Sequence, residues 1–275
     1  MVIPLEIQLS GMLTTLNLKI SLGGKLMKGI ILAGGKGTRL YPLTKKVNKH
    51  FLPVGNEPMI FNPIKQLISC NIEDIMIVTN SSYMEAMKDL LKKGNFPCNF
   101  YLKAQELSKG ISHALLLCKE FVAQDSMVVI LGDNIVTHSI NKYVNNFNTE
   151  NFDAKILLKE VPDPKRFAVA YLKNGNITKI IEKPSVVNSI YAVTGIYMYT
   201  NTVFDIIKSL RPSKRGELEI TPVNSIYLKQ NKLSYEILKD DWVDAGTFDS
   251  YEYANKLLLN LNNTILDGDN NENSI

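Results

Sequence analysis

Gly29-Ile30-Ile31-Leu32-Ala33-Gly34-Gly35-Lys36-Gly37-Thr38-Arg39-Leu40 runs an apolar segment straight into a glycine-rich turn. A short, nearly continuous apolar run bounded by turn residues reads as a strand buried on both faces. Glycines at its end let backbone N–H groups approach phosphate oxygens that a larger side chain would hold away. Two well-known phosphate loops are excluded. A Walker A loop needs Ser or Thr after its lysine, but Gly37 follows Lys36, and Ile30 stands where its first glycine belongs. The dinucleotide fingerprint fails at its third glycine, where this chain has Leu40. Arg39 closes the turn, and a planar guanidinium there can grip triphosphate oxygens in bidentate fashion.

Outward from this turn, apolar strand-like runs at 74–79, 99–102 and 127–131 alternate with helical spacing at 59–70 and 111–121. Ile60, Ile64, Leu67 and Ile68 form one core stripe, and Leu115, Leu116 and Cys118 lie on another. The alternation predicts an α/β class: a Rossmann-like three-layer fold with a mostly parallel mixed sheet in a single domain. Beyond Asp153 the rhythm changes to hairpins, with Asn174-Gly175-Asn176 turning between 167–172 and 177–182. This half is expected to build the substrate-facing wall. Pro222 falls in the first turn of a helix predicted to begin near Glu219, where a missing N–H is tolerated.

Residues 1–26 mix apolar residues with Glu6, Gln8 and Asn17, and their first lysine is Lys19, an order opposite to a secretory signal. They are read as an N-terminal extension, disordered or not native, with the folded unit at 27–262. The run Asp267-Gly268-Asp269-Asn270-Asn271-Glu272-Asn273 marks 263–275 as a disordered polar tail. A hydrophobic content of 45% with 21% charged residues is that of a globular chain. A net charge of +4 with scattered lysines is too weak for a nucleic-acid footprint. Neither nucleic acid nor membrane is expected as a partner, and a cytoplasmic homo-oligomer is. Cys70, Cys98 and Cys118 show no paired spacing and read as small core residues with reduced thiols.

Asp133 follows the apolar run 127–131, so it sits at a strand's carboxyl end, where ligands of open α/β sheets collect. Lys49 precedes the proline-bounded segment Phe51-Leu52-Pro53, and Asp244 lies between Trp242 and a Gly-Thr turn. Singly, either aspartate reads equally as a helix cap or turn residue, and Lys49 reads as a surface group.

Six stretches in order now carry a resemblance: 28–40, Leu131-Gly132-Asp133-Asn134-Ile135, Glu182-Lys183-Pro184, Tyr191-Ala192-Val193-Thr194-Gly195, 215–221 and Trp242-Val243-Asp244-Ala245-Gly246-Thr247. With them the chain resembles the glucose-1-phosphate thymidylyltransferase family, particularly its shorter bacterial and archaeal members, over nearly all of 27–253.

The resemblance implies a nucleotidyltransferase-type fold and transfer of a nucleotidyl group, dTMP from dTTP, to glucose-1-phosphate. It implies magnesium held by Asp133 and Asp244, two hard carboxylates being enough for an ion that keeps water and phosphate as its other ligands. Arg39 and Lys49 on the triphosphate side, with Lys183 and Arg215 on the sugar-phosphate side, would offset repulsion between two anionic reactants. Leu32, Gly34, Gly35, Gly37 and Thr38 would cradle the nucleotide. Gln105 and Gly110 would read the edge of thymine or uracil. Sugar recognition would fall to Glu182, Val193 and Tyr197 with Phe167 and Ala168. At that pair the chain departs from the family's aromatic-glycine, and the Ala168 methyl puts glucose as acceptor in doubt. A UTP-dependent uridylyltransferase and a non-catalytic sugar-nucleotide-binding subunit are the alternatives; retention of Arg39, Lys49, Asp133, Lys183 and Asp244 disfavours the second.

Overall fold

The computed structural model describes the backbone of Ile3–Pro4 and of residues 27–272, and side chains over 27–261. Strand β1 (Ile3–Pro4) is followed by β2 (Met27–Ala33), two 3-10 turns (Thr38–Leu40 and Lys49–Phe51), and the short hairpin β3 (Pro53–Val54) and β4 (Glu57–Pro58). Then come α1 (Phe61–Ser69), β5 (Asp74–Asn80), α2 (Met84–Gly94), β6 (Asn99–Gln105), α3 (Ile111–Leu116), α4 (Lys119–Val122), β7 (Ser126–Leu131), β8 (Asn134–Val136) and α5 (Asn141–Thr149). The second half adds β9 (Ala154–Glu160), β10 (Ala168–Lys173), β11 (Asn176–Glu182), β12 (Tyr191–Tyr199), α6 (Val203–Ser209) and α7 (Ile220–Lys229). It ends with β13 (Leu233–Ile237), β14 (Trp242–Asp244) and α8 (Phe248–Glu272).

Strands β6, β5, β2 and β7 lie side by side and parallel. Their side chains alternate between two cores, as a strand period of two requires. Ile31, Ile75, Ile77, Val128 and Ile130 face α1, α2 and α5. Ile30, Leu32, Met76, Val78 and Val129 face α3, α4, α6 and α7. The three layers expected from the alternating sequence are therefore present. Cys70, Cys98 and Cys118 are free thiols, and burial pushes those of Cys70 and Cys98 up to about 12.

From β2 the chain steps to β5 on one side and later returns to β7 on the other. The carboxyl ends of β2 and β7 thus form a topological switch point, where open α/β sheets bind ligands. Beyond β7 the sheet turns antiparallel. The carboxyl half of β12 pairs with β7, from Ile196↔Ile130 to Tyr199↔Met127, while its amino end pairs with β10 at Tyr191 and Ala192. Between these pairings the sheet opens, and the β10–β11 hairpin stands across the gap, turning at Asn174-Gly175 as its sequence predicts.

Two elements differ from their sequence reading. The helix over 111–121 is broken, because Leu117 and Cys118 donate to Ala114 and Leu115 three residues back, tightening the turn before α4 resumes. Helix α8 continues to Glu272, past the boundary drawn after 262. Leu258, Leu261 and Ile265 keep helical spacing through that boundary, so polar composition alone misplaced it. Ile3–Pro4 pairs antiparallel with β6 at Leu102 and Tyr101. The reading of 1–26 as an extension otherwise lies outside the described residues, as do 273–275. Among the described residues no helix is long and apolar enough to cross a membrane.

Candidate active site

A cavity of about 320 Å³ occupies the opening at the switch point. The glycine turn contributes Leu32, Gly34, Gly35 and Arg39 to its wall, and the following loop contributes Lys49. Gln105 enters from the end of β6, Gly110 from the start of α3, and Asp133 from the end of β7. The far wall is Phe167, Ala168, Glu182, Lys183, Val193 and Tyr197, with Asp244 between the two sides. Fifteen site residues named from sequence are accounted for here, the eighteen-residue set being completed by three outside the wall.

Gly37 lies behind the wall with a left-handed backbone, φ 65°, capping the 3-10 turn that contains Thr38; its carbonyl accepts from Thr44 Oγ1 at 2.6 Å. Arg215 lies outside the cavity, on an adjoining groove shared with Glu182 and Lys183. Its guanidinium donates to Glu219 Oε1 at 2.7 Å, across the irregular segment that leads into α7.

Asp133 and Asp244 are 111 positions apart in the chain but neighbours in space, for a local reason. Strands β8 and β14 form an antiparallel ladder, Trp242↔Val136 to Asp244↔Asn134, and the N–H of Ala245 donates to the Asp133 carbonyl at 2.8 Å. Val54, Met59, Ile135, Val243, Ala245 and Ala254 bury this ladder against α8. The cluster explains how so short a pairing holds.

Gly246 completes the cradle. A Cβ built there would lie 2.6 Å from Asp244 Oδ1, 2.9 Å from Arg39 Nη2 and 3.4 Å from Asp133 Oδ2. Two carboxylates and a guanidinium therefore converge on one spot that only glycine leaves open. Burial and the adjacent Asp133 charge push the Asp244 carboxyl up, with Lys49 and Arg39 opposing. Burial also raises Asp133, but the Lys49 ammonium outweighs it and holds that carboxyl well below the usual range. Among the described residues no cluster of three or more His, Cys, Asp or Glu is suited to a metal. The pair of hard oxygen donors does fit magnesium, which takes few protein ligands, and the repulsion felt at Asp244 is what a divalent cation would relieve.

His50, which the sequence reading passed over, braces this arrangement. Its Nδ1 donates to Asn48 Oδ1 at 2.7 Å, and burial, reinforced by Lys49, lowers its imidazole to about 3, so the ring is neutral. The other edge of the ring wedges against Gly132, where a Cβ would meet Cδ2 at 2.7 Å. On the far wall, Glu182 accepts from Thr221 Oγ1 at 2.6 Å. Tyr197 is buried, and burial together with Glu182, Asp244 and Asp133 pushes its phenol far up, so it remains a neutral hydroxyl. Arg166 and Trp242 also line the cavity; Arg166 Nη2 donates to Thr247 Oγ1 at 3.0 Å, spanning the cleft from the β10 side to the Asp244 side. His50 and Arg166 stand next to the named Lys49 and Phe167, and Trp242 lies two residues before Asp244, so the signal in each case was a polar or aromatic group close to a named residue.

The nucleotidyl transfer family model matches residues 28–260 under the description "Nucleotidyl transferase". A glucose-1-phosphate thymidylyltransferase of Neisseria meningitidis is 37% identical over 242 residues, covering 86% of this chain and 84% of its own. One from Mycolicibacterium smegmatis is 40% identical over 229 residues, covering 82% and 79%. The crystal structure of a proposed glucose-1-phosphate thymidylyltransferase from Bacillus anthracis, in complex with sucrose, superposes with a TM-score of 0.81 at 50% identity, covering 85% of this chain and 95% of that one. A UDP-glucose pyrophosphorylase complexed with UDP-glucose shares the fold, at a TM-score of 0.77 and 23% identity over 85% of this chain and 98% of its own. The chain belongs to the nucleotidyl transferase family, in its glucose-1-phosphate thymidylyltransferase branch.

Proposed function

We propose that the chain transfers the dTMP group of dTTP to glucose-1-phosphate, giving dTDP-glucose and pyrophosphate. The observation that carries this reading is the meeting of Asp133, Asp244 and Arg39 at Gly246, opposite a wall bearing Glu182 and Lys183. The names of the relatives support the substrate pair.

A phosphate oxygen of the sugar phosphate attacks the α-phosphorus of the nucleotide. The bond from that phosphorus to its bridging oxygen breaks, and pyrophosphate leaves with the electron pair. No general base is needed, because the attacking phosphate is already ionised. Asp133 and Asp244 would hold magnesium, which when bound draws charge from the α-phosphate. Arg39 and Lys49 face the triphosphate, and Lys183 faces the sugar phosphate, so two anions approach each other across cations. Gln105 hydrogen-bonds the base edge beside Gly34, and Glu182 accepts from sugar hydroxyls. Arg215 would join the sugar-phosphate side on release from Glu219.

Scanning calorimetry with magnesium and each nucleotide tests the binding half of this reading. A ligand at a hundred times its Kd stabilises by about 2.7 kcal/mol. dTTP should raise the Tm by the largest margin and CTP the least. Equal shifts with dTTP and CTP would count against base recognition by Gln105.

A further inference from the structure

Asn134 is 1% exposed, yet groups from three segments meet at its carboxamide. Oδ1 accepts from Trp242 Nε1 at 2.6 Å and from the Gly195 backbone N–H at 2.8 Å. Nδ2 donates to Asp133 Oδ1 at 3.2 Å. An indole N–H and a backbone N–H can only donate, so the amide oxygen must face them and the amide nitrogen must face Asp133. Chemistry thus fixes the orientation of this side chain without ambiguity. The acceptor at Asp133 is an ionised carboxylate, the kind that makes a hydrogen bond roughly twice as strong as a neutral one.

The three partners matter for where they lie. Trp242 opens β14, which ends on Asp244. Gly195 lies in β12 between Val193 and Tyr197, on the far wall of the cavity. Asp133 has its other oxygen, Oδ2, occupied by the Lys49 ammonium. Both oxygens of the carboxylate are therefore held, one by a cation and one by the Asn134 amide.

We infer that Asn134 is a positioning residue: locked by Trp242 and Gly195, its amide sets the Asp133 carboxylate in place relative to Asp244 and the β12 wall. The inference rests on nucleotidyl transfer occurring at this site, as proposed above. A carboxylate free to turn about its last bond would still bind substrates through the surrounding walls but would misalign the reacting phosphate. Small misplacements of this kind reduce turnover more than binding.

The chain has a single tryptophan, Trp242, so its emission reports on the one corner of the cavity where the indole meets the Asn134 amide and the Phe167 ring. Wild type, Asn134→Ala and Trp242→Phe are compared for kcat and for both KM values. Trp242 emission is followed in wild type and Asn134→Ala as magnesium chloride and dTTP are added together. Trp242→Phe should lower kcat by about tenfold and Asn134→Ala by at least as much, with both KM values within about twofold of wild type. The emission change seen in wild type should fall by at least about half in Asn134→Ala, because the amide linking Asp133 to the indole is gone.

Wild-type kcat in a folded Trp242→Phe would overturn the inference. So would a raised KM with unchanged kcat in Asn134→Ala, which marks a substrate ligand, or an emission response in Asn134→Ala equal to that of wild type. If Asn134→Ala does not fold, Trp242→Phe decides. A wild-type protein without activity would count against the proposed reaction instead, and the emission comparison would then decide the role of Asn134 by itself.

Discussion

The Lys49 ammonium donates to Oδ2 of Asp133, and neither side chain is more than 11% exposed. The pair ties the loop behind the glycine turn to the end of β7, closing the topological switch point from beneath. Removing one partner of a buried pair typically costs about 3–5 kcal/mol, because the other charge stays buried and uncompensated. Lys49→Met should therefore lower the unfolding free energy by about 3 kcal/mol in urea titration. Turnover should fall by about a hundredfold or more. An unchanged denaturation midpoint would show that Asp133 finds its compensation elsewhere.

Asp244 should respond with the opposite sign in stability. Its carboxyl is pushed up by burial and by Asp133, so the ionised form is disfavoured in the folded protein. A raised carboxyl lowers folded stability as pH rises through its titration. Asp244→Asn should thus be as stable as wild type or more so in EDTA at neutral pH, while kcat drops by roughly a hundredfold. Asp133→Asn should lose turnover on the same scale but lose stability as well, since Lys49 is left unpaired. Equal stability changes in the two variants would undo the distinction drawn between them.

At the other wall, Ala168 opens β10 opposite Glu182 and lines the cavity. One methyl in a binding pocket is worth roughly 1–3 kcal/mol of discrimination. Ala168→Gly should lower the KM for glucose-1-phosphate by about fivefold or more while leaving that for dTTP unchanged. A KM that stays the same would mean that the methyl does not crowd the acceptor.

Asp74, far from the cavity, gives a pH prediction. Burial pushes its carboxyl up, but the Lys28 ammonium at 2.5 Å and the Asn99 amide outweigh this and lower it. A depressed carboxyl contributes stability that is present above the unfolded value of about 3.9 and is lost as pH falls through the folded value. The stability gap between wild type and Asp74→Asn should accordingly be constant above about pH 5 and close below about pH 4. A gap that widens on acidification would reverse the sign of the interaction.

Much of the fold was legible because β2, β5 and β7 are apolar on both faces and bounded by turn residues, which leaves few alternatives to a buried parallel strand. Asp133 could be placed at a strand end for the same reason. The β8–β14 ladder was not legible: three residue pairs joined across more than a hundred positions have no periodicity to detect, and their stability comes from the cluster under α8. Asn134 escaped notice because it acts through bonds to Trp242 and Gly195, and His50 because its ring packs against Gly132, distant partners that spacing along the chain does not reveal. The capture of Arg215 by Glu219 was not legible either, because 215–219 is an irregular segment before α7, where four-residue spacing does not bring two side chains together as it does on a helix.

Pyrophosphate release by the purified protein with magnesium, across dTTP, UTP, CTP, ATP and GTP, with and without glucose-1-phosphate, is the most direct measurement. Release should require the sugar phosphate and be fastest with dTTP. Release that is fastest with UTP would contradict the thymidylyl assignment, and no release with any pair would contradict glucose-1-phosphate transfer altogether.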